Sequence, residues 1–218
     1  MPLRYLREVR RHFTLTALAV GMVVLTAPAH AQVWNEVGDA GPFPATAQQT
    51  VGAGLLTTIR GNLASASDVD MYCIHLGSAP PANSPLLGLQ CVIHQGPDVW
   101  LFDANGKGVL AATACQGGEK RVIAPNISLA PGDYYVAVSN YGVDPYAGPN
   151  AIWLPSTSTS HAPDGPGAAG TLNAWTGLGQ PGPLNPYQIN LFAGITFCSG
   201  AVPARRQTWG TLKIRYGN

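Results

Sequence analysis

Two aspartates in the first half of the sequence, Asp68 and Asp70, are the clearest candidates for chemistry. They are two positions apart, so both side chains point to the same side wherever the backbone is extended. Carboxylate oxygens are preferred ligands of calcium, which makes the pair a candidate part of a calcium site. Aspartates also cap turns by accepting hydrogen bonds from backbone N–H groups. The sequence leaves both alternatives open, because D-x-D is much shorter than a complete calcium loop.

The first 31 residues carry the three parts of a cleavable export signal. An arginine-rich start precedes an apolar run from Phe13 to about Ala27, and small residues follow in Ala29-His30-Ala31. The run is shorter than the roughly 20 residues of a membrane span, so we expect no transmembrane anchor after cleavage. We expect cleavage between Ala31 and Gln32, and a secreted, periplasmic or cell-envelope location. Arg10-Arg11 leaves open a twin-arginine signal, which would mean export after folding.

Four cysteines lie in the mature part of the chain, namely Cys73, Cys91, Cys115 and Cys198. An even number of cysteines in an exported protein predicts two disulfides, for which three pairings exist. We take Cys73–Cys91 with Cys115–Cys198 as the working pairing, and free buried thiols as the alternative. The sequence has no C-x-x-C motif, which argues against a redox pair or a zinc site.

Removal of the signal changes the charge of the chain. Residues 32–218 hold eight basic and ten acidic residues, a net charge of −2. All ten acids lie in residues 32–203 beside four basic residues, so this body carries −6, whereas the tail at 204–218 carries +4. An acidic body argues against a nucleic-acid partner and leaves room for a cation. The basic, aromatic tail is either a terminus without a role or a segment that docks on the body or on a partner.

Short apolar or alternating runs between Gly, Pro and Asn turns predict strands rather than helices. The predicted strands are Leu55 to Leu63, Asp70 to Leu76, Leu89 to His94, Val99 to Phe102, Val109 to Ala112, Arg121 to Leu129, Tyr134 to Ser139 and Pro186 to Phe197. About 7–9 strands of this kind predict an all-β protein, an antiparallel β-sandwich over residues 32–203. The segment 141–186 is rich in Pro and Gly and is predicted to be a long loop, functional or disordered, which Trp153 and Trp175 pin to the body.

Several short motifs occur in an order that resembles one protein family. They are Asn35-Glu36 with Asp39-Ala40-Gly41, Asp68-Val69-Asp70-Met71-Tyr72, Val99-Trp100-Leu101-Phe102-Asp103, Ala130-Pro131-Gly132-Asp133-Tyr134-Tyr135-Val136, and Asn185-Pro186-Tyr187-Gln188-Ile189. From about Val33 to Cys198 this order resembles the pre-peptidase C-terminal domain of exported bacterial proteins. The resemblance implies a jelly-roll-like β-sandwich that serves as an accessory module. The four cysteines and the long loop depart from the plain module.

The resemblance also implies possible calcium ligands. Some members of the family bind calcium, collagen or other polymers, and in those that bind calcium the acidic lead and the D-x-D segment contribute ligands. We therefore take as the possible ligand set Glu36, Asp39, Asp68, Asp70 and Asp103.

No catalytic motif such as G-x-S-x-G or H-E-x-x-H occurs in the sequence, so no catalytic residue is assigned. His75 and His94 lie on predicted strands, where they form either a metal pair or two solvent-facing side chains. We predict an exported, non-catalytic binding or structural module whose ligand is an unidentified protein or polysaccharide. The alternatives are a calcium-dependent adhesion or polymer-binding module and an enzyme whose site is covered by the long loop.

Overall fold

The computed structural model describes residues 31–90, 96–113, 118–123, 128–156, 160–179 and 186–198. These residues form fourteen strands and no helix. The strands are β1 (Gln32–Asn35), β2 (Gln48–Gln49), β3 (Leu56–Asn62), β4 (Val69–Leu76), β5 (Pro85–Gln90), β6 (Asp98–Asp103), β7 (Gly108–Ala112), β8 (Glu119–Ile123), β9 (Gly132–Ser139), β10 (Asp144–Ala147), β11 (Asn150–Ala151), β12 (Ala174–Thr176), β13 (Pro186–Leu191) and β14 (Ile195–Phe197).

The strands form two main sheets, in the orders β1-β3-β13-β5-β8 and β14-β4-β9-β6-β7, with β2 beside β4. Most neighbours are antiparallel, whereas β1 beside β3 and β2 beside β4 are parallel. The predicted all-β sandwich is confirmed, and short strands that the sequence pattern did not predict, such as β1 and β2, raise the number of strands. None of the described residues forms a helix of the length and hydrophobicity that a membrane crossing requires.

The main core lies between the two sheets and follows the alternation of side chains along each strand. On β4, Tyr72, Ile74 and Leu76 point into this core, as their period of two predicts. Met71 points to the opposite face and belongs to a second hydrophobic cluster. Both faces of β4 are therefore buried, which explains why this strand is apolar at almost every position.

The second cluster lies under the segment 141–186, for which the sequence predicts a long loop. This segment contains a three-stranded sheet of order β11-β10-β12. Trp153 is only 4% exposed, and its ring lies 5.3 Å from that of Trp100 on β6. Trp175 lies 6.2 Å from the same ring and donates its Nε1–H to the Pro42 carbonyl at 2.8 Å. The tryptophans thus pin the segment to the body, as predicted from the sequence.

The predicted final strand, Pro186 to Phe197, is divided in the structure. Ala193 and Gly194 adopt φ values of 55° and 69°, which end the extended conformation after β13. The strand β13 pairs with β3 and β5 in one sheet, whereas β14 pairs with β4 in the other. The chain therefore crosses between the sheets here, and Cys198 comes to lie beside β4.

Several sequence predictions fall outside the described residues. These are the signal up to residue 30, the tail at 204–218, His94, Cys91 and Cys115. Of the predicted cleavage site, Ala31 is exposed and Gln32 is the first residue of β1.

Candidate functional site

The acidic lead after β1 is folded back by a tight turn. Glu36 donates its backbone N–H to the Arg60 carbonyl at 2.8 Å, which ties the lead to β3. Its carboxylate accepts the N–H of Ala40 at 3.0 Å through Oε1 and that of Asn62 at 2.8 Å through Oε2. Gly38, with φ of 73°, provides the left-handed turn that places Asp39 near Glu36.

Asp70 lies on β4 and is completely buried. Its Oδ2 accepts a hydrogen bond from the Tyr187 hydroxyl at 2.6 Å, and that hydroxyl lies 2.6 Å from the hydroxyl of Tyr72. Gly61 makes room for this pair, because a methyl group there would overlap both hydroxyls. The other oxygen, Oδ1 of Asp70, has no hydrogen-bond partner among the described residues. A buried oxygen without a partner is costly and calls for an explanation.

Three acids converge at the Asp70 carboxylate. One carboxylate oxygen each from Glu36, Asp39 and Asp70 lies within 4.8 Å of the others. Burial raises the pKa of Asp70 to about 8 despite the Tyr187 hydrogen bond, and Glu36 adds to the shift. Calcium binds oxygen ligands at about 2.3–2.6 Å, so one ion fits between oxygens at these separations. The residues present therefore fit a calcium ion. Asp70 is buried, its Oδ1 has no hydrogen-bond partner among the described residues, and all three side chains are carboxylates.

Asp68 lies next to this cluster but fulfils the alternative expectation, that of a turn cap. Its Oδ2 accepts the N–H of Ala64, and its Oδ1 accepts the N–H of Val69 at 2.8 Å. Burial raises the pKa of Asp68, and the charge of Asp39 adds to the effect. Asp68 therefore contributes negative charge near the cluster, while both of its oxygens are already used by the backbone.

The structure places Asp103 elsewhere, which corrects its inclusion in the ligand set. Its Oδ1 accepts the N–H groups of Asn105 at 2.8 Å and Lys107 at 2.9 Å, so it caps the turn between β6 and β7. The strand registers put Asp70 level with Val99, four positions along β6 from Asp103. At about 3.3 Å per residue, this separates the two acids by roughly 13 Å along the sheet.

The working disulfide pairing is also corrected. Cys73 on β4 is bonded to Cys198, 125 residues later, with 5.4 Å between the Cα atoms. The reason is the crossing of the chain after β13, which places β14 beside β4. Thr50 supports the bridge by donating to the Cys73 carbonyl at 2.7 Å and accepting the Cys198 N–H at 3.1 Å. Neither Cys73–Cys91 nor Cys115–Cys198 can form together with this bond.

His75 has a carboxylate partner. Its Nδ1 lies 2.7 Å from Oδ1 of Asp133, and both side chains are 29% exposed. Its suggested metal partner, His94, lies outside the described residues, so the histidine pair stays a prediction.

Sequence reasoning missed the groups that hold Asp70 in place and one buried ion pair. Tyr187 and Tyr72 were assigned only to strands, because nothing in the local sequence shows that their hydroxyls meet. Lys120 and Asp98 form a fully enclosed pair at 2.5 Å. Its signal is the alternation of β8, in which Lys120 shares a strand face with the buried Val122.

A similarity to known proteins is found among solved structures. No protein-family model matches the sequence, and no curated protein matches it. Among solved structures, the chain is similar to the pre-peptidase C-terminal domain of collagenase from Bacillus anthracis. The two are 15% identical with a TM-score of 0.33, and the match covers 77% of this chain and 97% of that domain.

Proposed function

We propose that this chain is an exported, non-catalytic β-sandwich module, for binding or for structure, that a calcium ion stabilises. The observation that carries the calcium site is the buried carboxylate of Asp70, whose Oδ1 has no hydrogen-bond partner among the described residues. This carboxylate lies together with those of Glu36 and Asp39. Glu36 and Asp39 would bind the ion with Asp70, and water or backbone carbonyls would complete the six to eight ligands that calcium takes.

Hydrogen bonds already orient two of these side chains, which supports the proposed site. Both oxygens of Glu36 are oriented by backbone N–H groups, and Asp70 is held by Tyr187. None of the acids of this cluster has a basic partner among the described side chains. A bound calcium ion would neutralise the mutual repulsion of the carboxylates and would supply the partner that Oδ1 of Asp70 lacks.

Two buried hydroxyl groups hold parts of the fold together, which supports the proposed role as a non-catalytic module. Thr50 bonds the backbone around the disulfide, and Ser139 links the Trp100 ring to the Val143 carbonyl.

The enzyme alternative relied on the segment 141–186 covering a pocket, whereas that segment packs its tryptophans into a second core. We propose a protein or a polysaccharide of the cell envelope or extracellular space as the ligand.

Calcium should raise the melting temperature of the protein. A ligand that binds only the folded state, present at a concentration of a hundred times its Kd, raises the free energy of unfolding by about 2.7 kcal/mol. For a chain of this size, this raises the melting temperature by roughly 5–10 °C. The measurement is thermal unfolding by circular dichroism in calcium and in EGTA. D70N should lose the increment, because an amide is a poorer ligand than a carboxylate.

The matched control is D103N, which makes the same change at an acid outside the cluster. D103N should lower the melting temperature in both buffers, since it weakens the cap on its turn, but it should keep the calcium increment. Identical wild-type curves in calcium and EGTA would refute the site, as would a D70N variant that responds like the wild type.

Export predicts a defined amino terminus. When the full chain is expressed in a bacterial host with a signal peptidase, the mature protein should begin at Gln32 and should be recovered outside the cytoplasm. Mass spectrometry of the amino-terminal peptide is the measurement. Recovery of the chain in the cytoplasm with residues 1–31 attached would contradict export.

A further inference from the structure

A lysine and an aspartate are enclosed together where the two sheets meet. Lys120, on β8 at the edge of the first sheet, is 0% exposed, and Asp98, at the start of β6 in the second sheet, is 2% exposed. Lys120 Nζ lies 2.5 Å from Asp98 Oδ1 and 2.6 Å from the Gly96 carbonyl oxygen. The ring of Tyr141 lies over the same amine, at 5.8 Å from its centroid. The pair therefore links the two sheets in surroundings from which water is excluded.

Keeping both groups of this pair charged costs desolvation free energy. If both groups are neutral, an amine and a carboxylic acid can react with each other. Burying an ammonium and a carboxylate costs several kcal/mol for each ion, so passing one proton from Nζ to the carboxylate is less unfavourable here than in water. Burial raises the pKa of Asp98 to about 7 although Lys120 opposes the shift, and the charge of Asp144 raises it further. The Nζ atom of Lys120 lies 2.5 Å from Oδ1 of Asp98, an oxygen bonded to the carbon that the amine would attack.

We propose that Lys120 and Asp98 condense to an isopeptide bond that joins β8 to β6 covalently. The amine lone pair of Nζ attacks Cγ of Asp98, the Cγ–Oδ bond breaks, and the oxygen leaves with two protons as one water molecule. The first of these protons passes from the ammonium group to the carboxylate before the attack. The second leaves the attacking nitrogen during the reaction. The product is a neutral amide with one N–H, and the reaction needs no oxidant, reductant or further reactant.

Asp144 is the group suited to carry the second proton. It begins β10, two residues after Gly142, whose backbone N–H forms a hydrogen bond with Asp98. Its charge acts on Asp98, and burial raises its own pKa. A protonated carboxyl group near the pair can donate a proton to the leaving oxygen and receive one from the nitrogen. The amide removes two buried charges, and the exclusion of water that favours its formation also protects it from hydrolysis.

The test is mass spectrometry of the exported protein after reduction and alkylation. The measured mass of the wild type should be lower, by one water molecule, than the mass calculated from its mature sequence with alkylated cysteines. Trypsin should leave Lys120 uncut and should yield a branched peptide in which residues 61–107 are joined to residues 108–121. Reduction is needed because a disulfide between Cys91 and Cys115 would join the same two peptides.

K120R keeps the charge but has no primary amine, so it should show the full mass and no branched peptide. K107R is the matched control at an exposed lysine and should lose water like the wild type. D144N should accumulate the full-mass form relative to the wild type at the same time after expression. A wild-type protein of full mass without the branched peptide would overturn the proposal and leave an ion pair, and this result does not depend on whether any variant folds.

Discussion

Replacing Cys73 and Cys198 together by alanine should lower the free energy of unfolding by about 4–5 kcal/mol. The bond closes a loop of 125 residues, and a crosslink across a long loop removes much conformational entropy from the unfolded chain. It also holds β14 against β4 at the point where the chain has crossed from one sheet to the other. Urea unfolding of C73A/C198A and of the oxidised wild type measures the difference.

The pairing can be checked in the same samples by peptide mapping without reduction. Of the three pairings that four cysteines allow, only one contains Cys73–Cys198, and its second bond joins Cys91 to Cys115. That bond would close a loop of only 24 residues, so C91A/C115A should lose about 1–2 kcal/mol less than C73A/C198A. A peptide that links Cys73 to Cys91 would contradict the structure.

Replacing Trp153 by alanine should lower the free energy of unfolding by about 3–5 kcal/mol, the usual cost of removing a buried tryptophan ring. The ring lies 5.3 Å from Trp100 and 5.5 Å from Phe102, so its removal opens a cavity between the segment 141–186 and the second sheet. The same contact explains Gly108, where a Cβ atom would lie 2.6 Å from the Trp153 ring. Urea unfolding measures the loss, and faster proteolysis within 141–186 should accompany it.

The matched control is the next residue, Leu154, which is 47% exposed. L154A should change the free energy of unfolding by no more than about 0.5 kcal/mol, as is usual for exposed positions. Equal stability of W153A and the wild type would show that the segment 141–186 does not contribute to the fold through this ring.

Local patterns were sufficient for most of the strands. The alternation from Asp70 to Leu76 predicted β4 and its two faces, because the period of side chains on a strand does not depend on its neighbours. Acid-rich turns led to the calcium hypothesis, because the chemistry of a ligand is a property of the residue type, and calcium binding stays a prediction. The division of Pro186 to Phe197 was missed, since this run is apolar on both sides of Ala193 and Gly194 and the reversal depends on which sheet each half joins.

What the sequence by itself determined is therefore the class of fold, the residues available for chemistry, and the even number of cysteines. The tertiary structure alone decided which of these residues meet. Glu36 and Asp70 are 34 positions apart, Asp98 and Lys120 are 22 apart, and Cys73 and Cys198 are 125 apart. Each of these contacts depends on strand order, register and the crossing between sheets. The physical reason is that side-chain chemistry and strand periodicity are local, whereas sheet packing is settled by burial of the whole core at once.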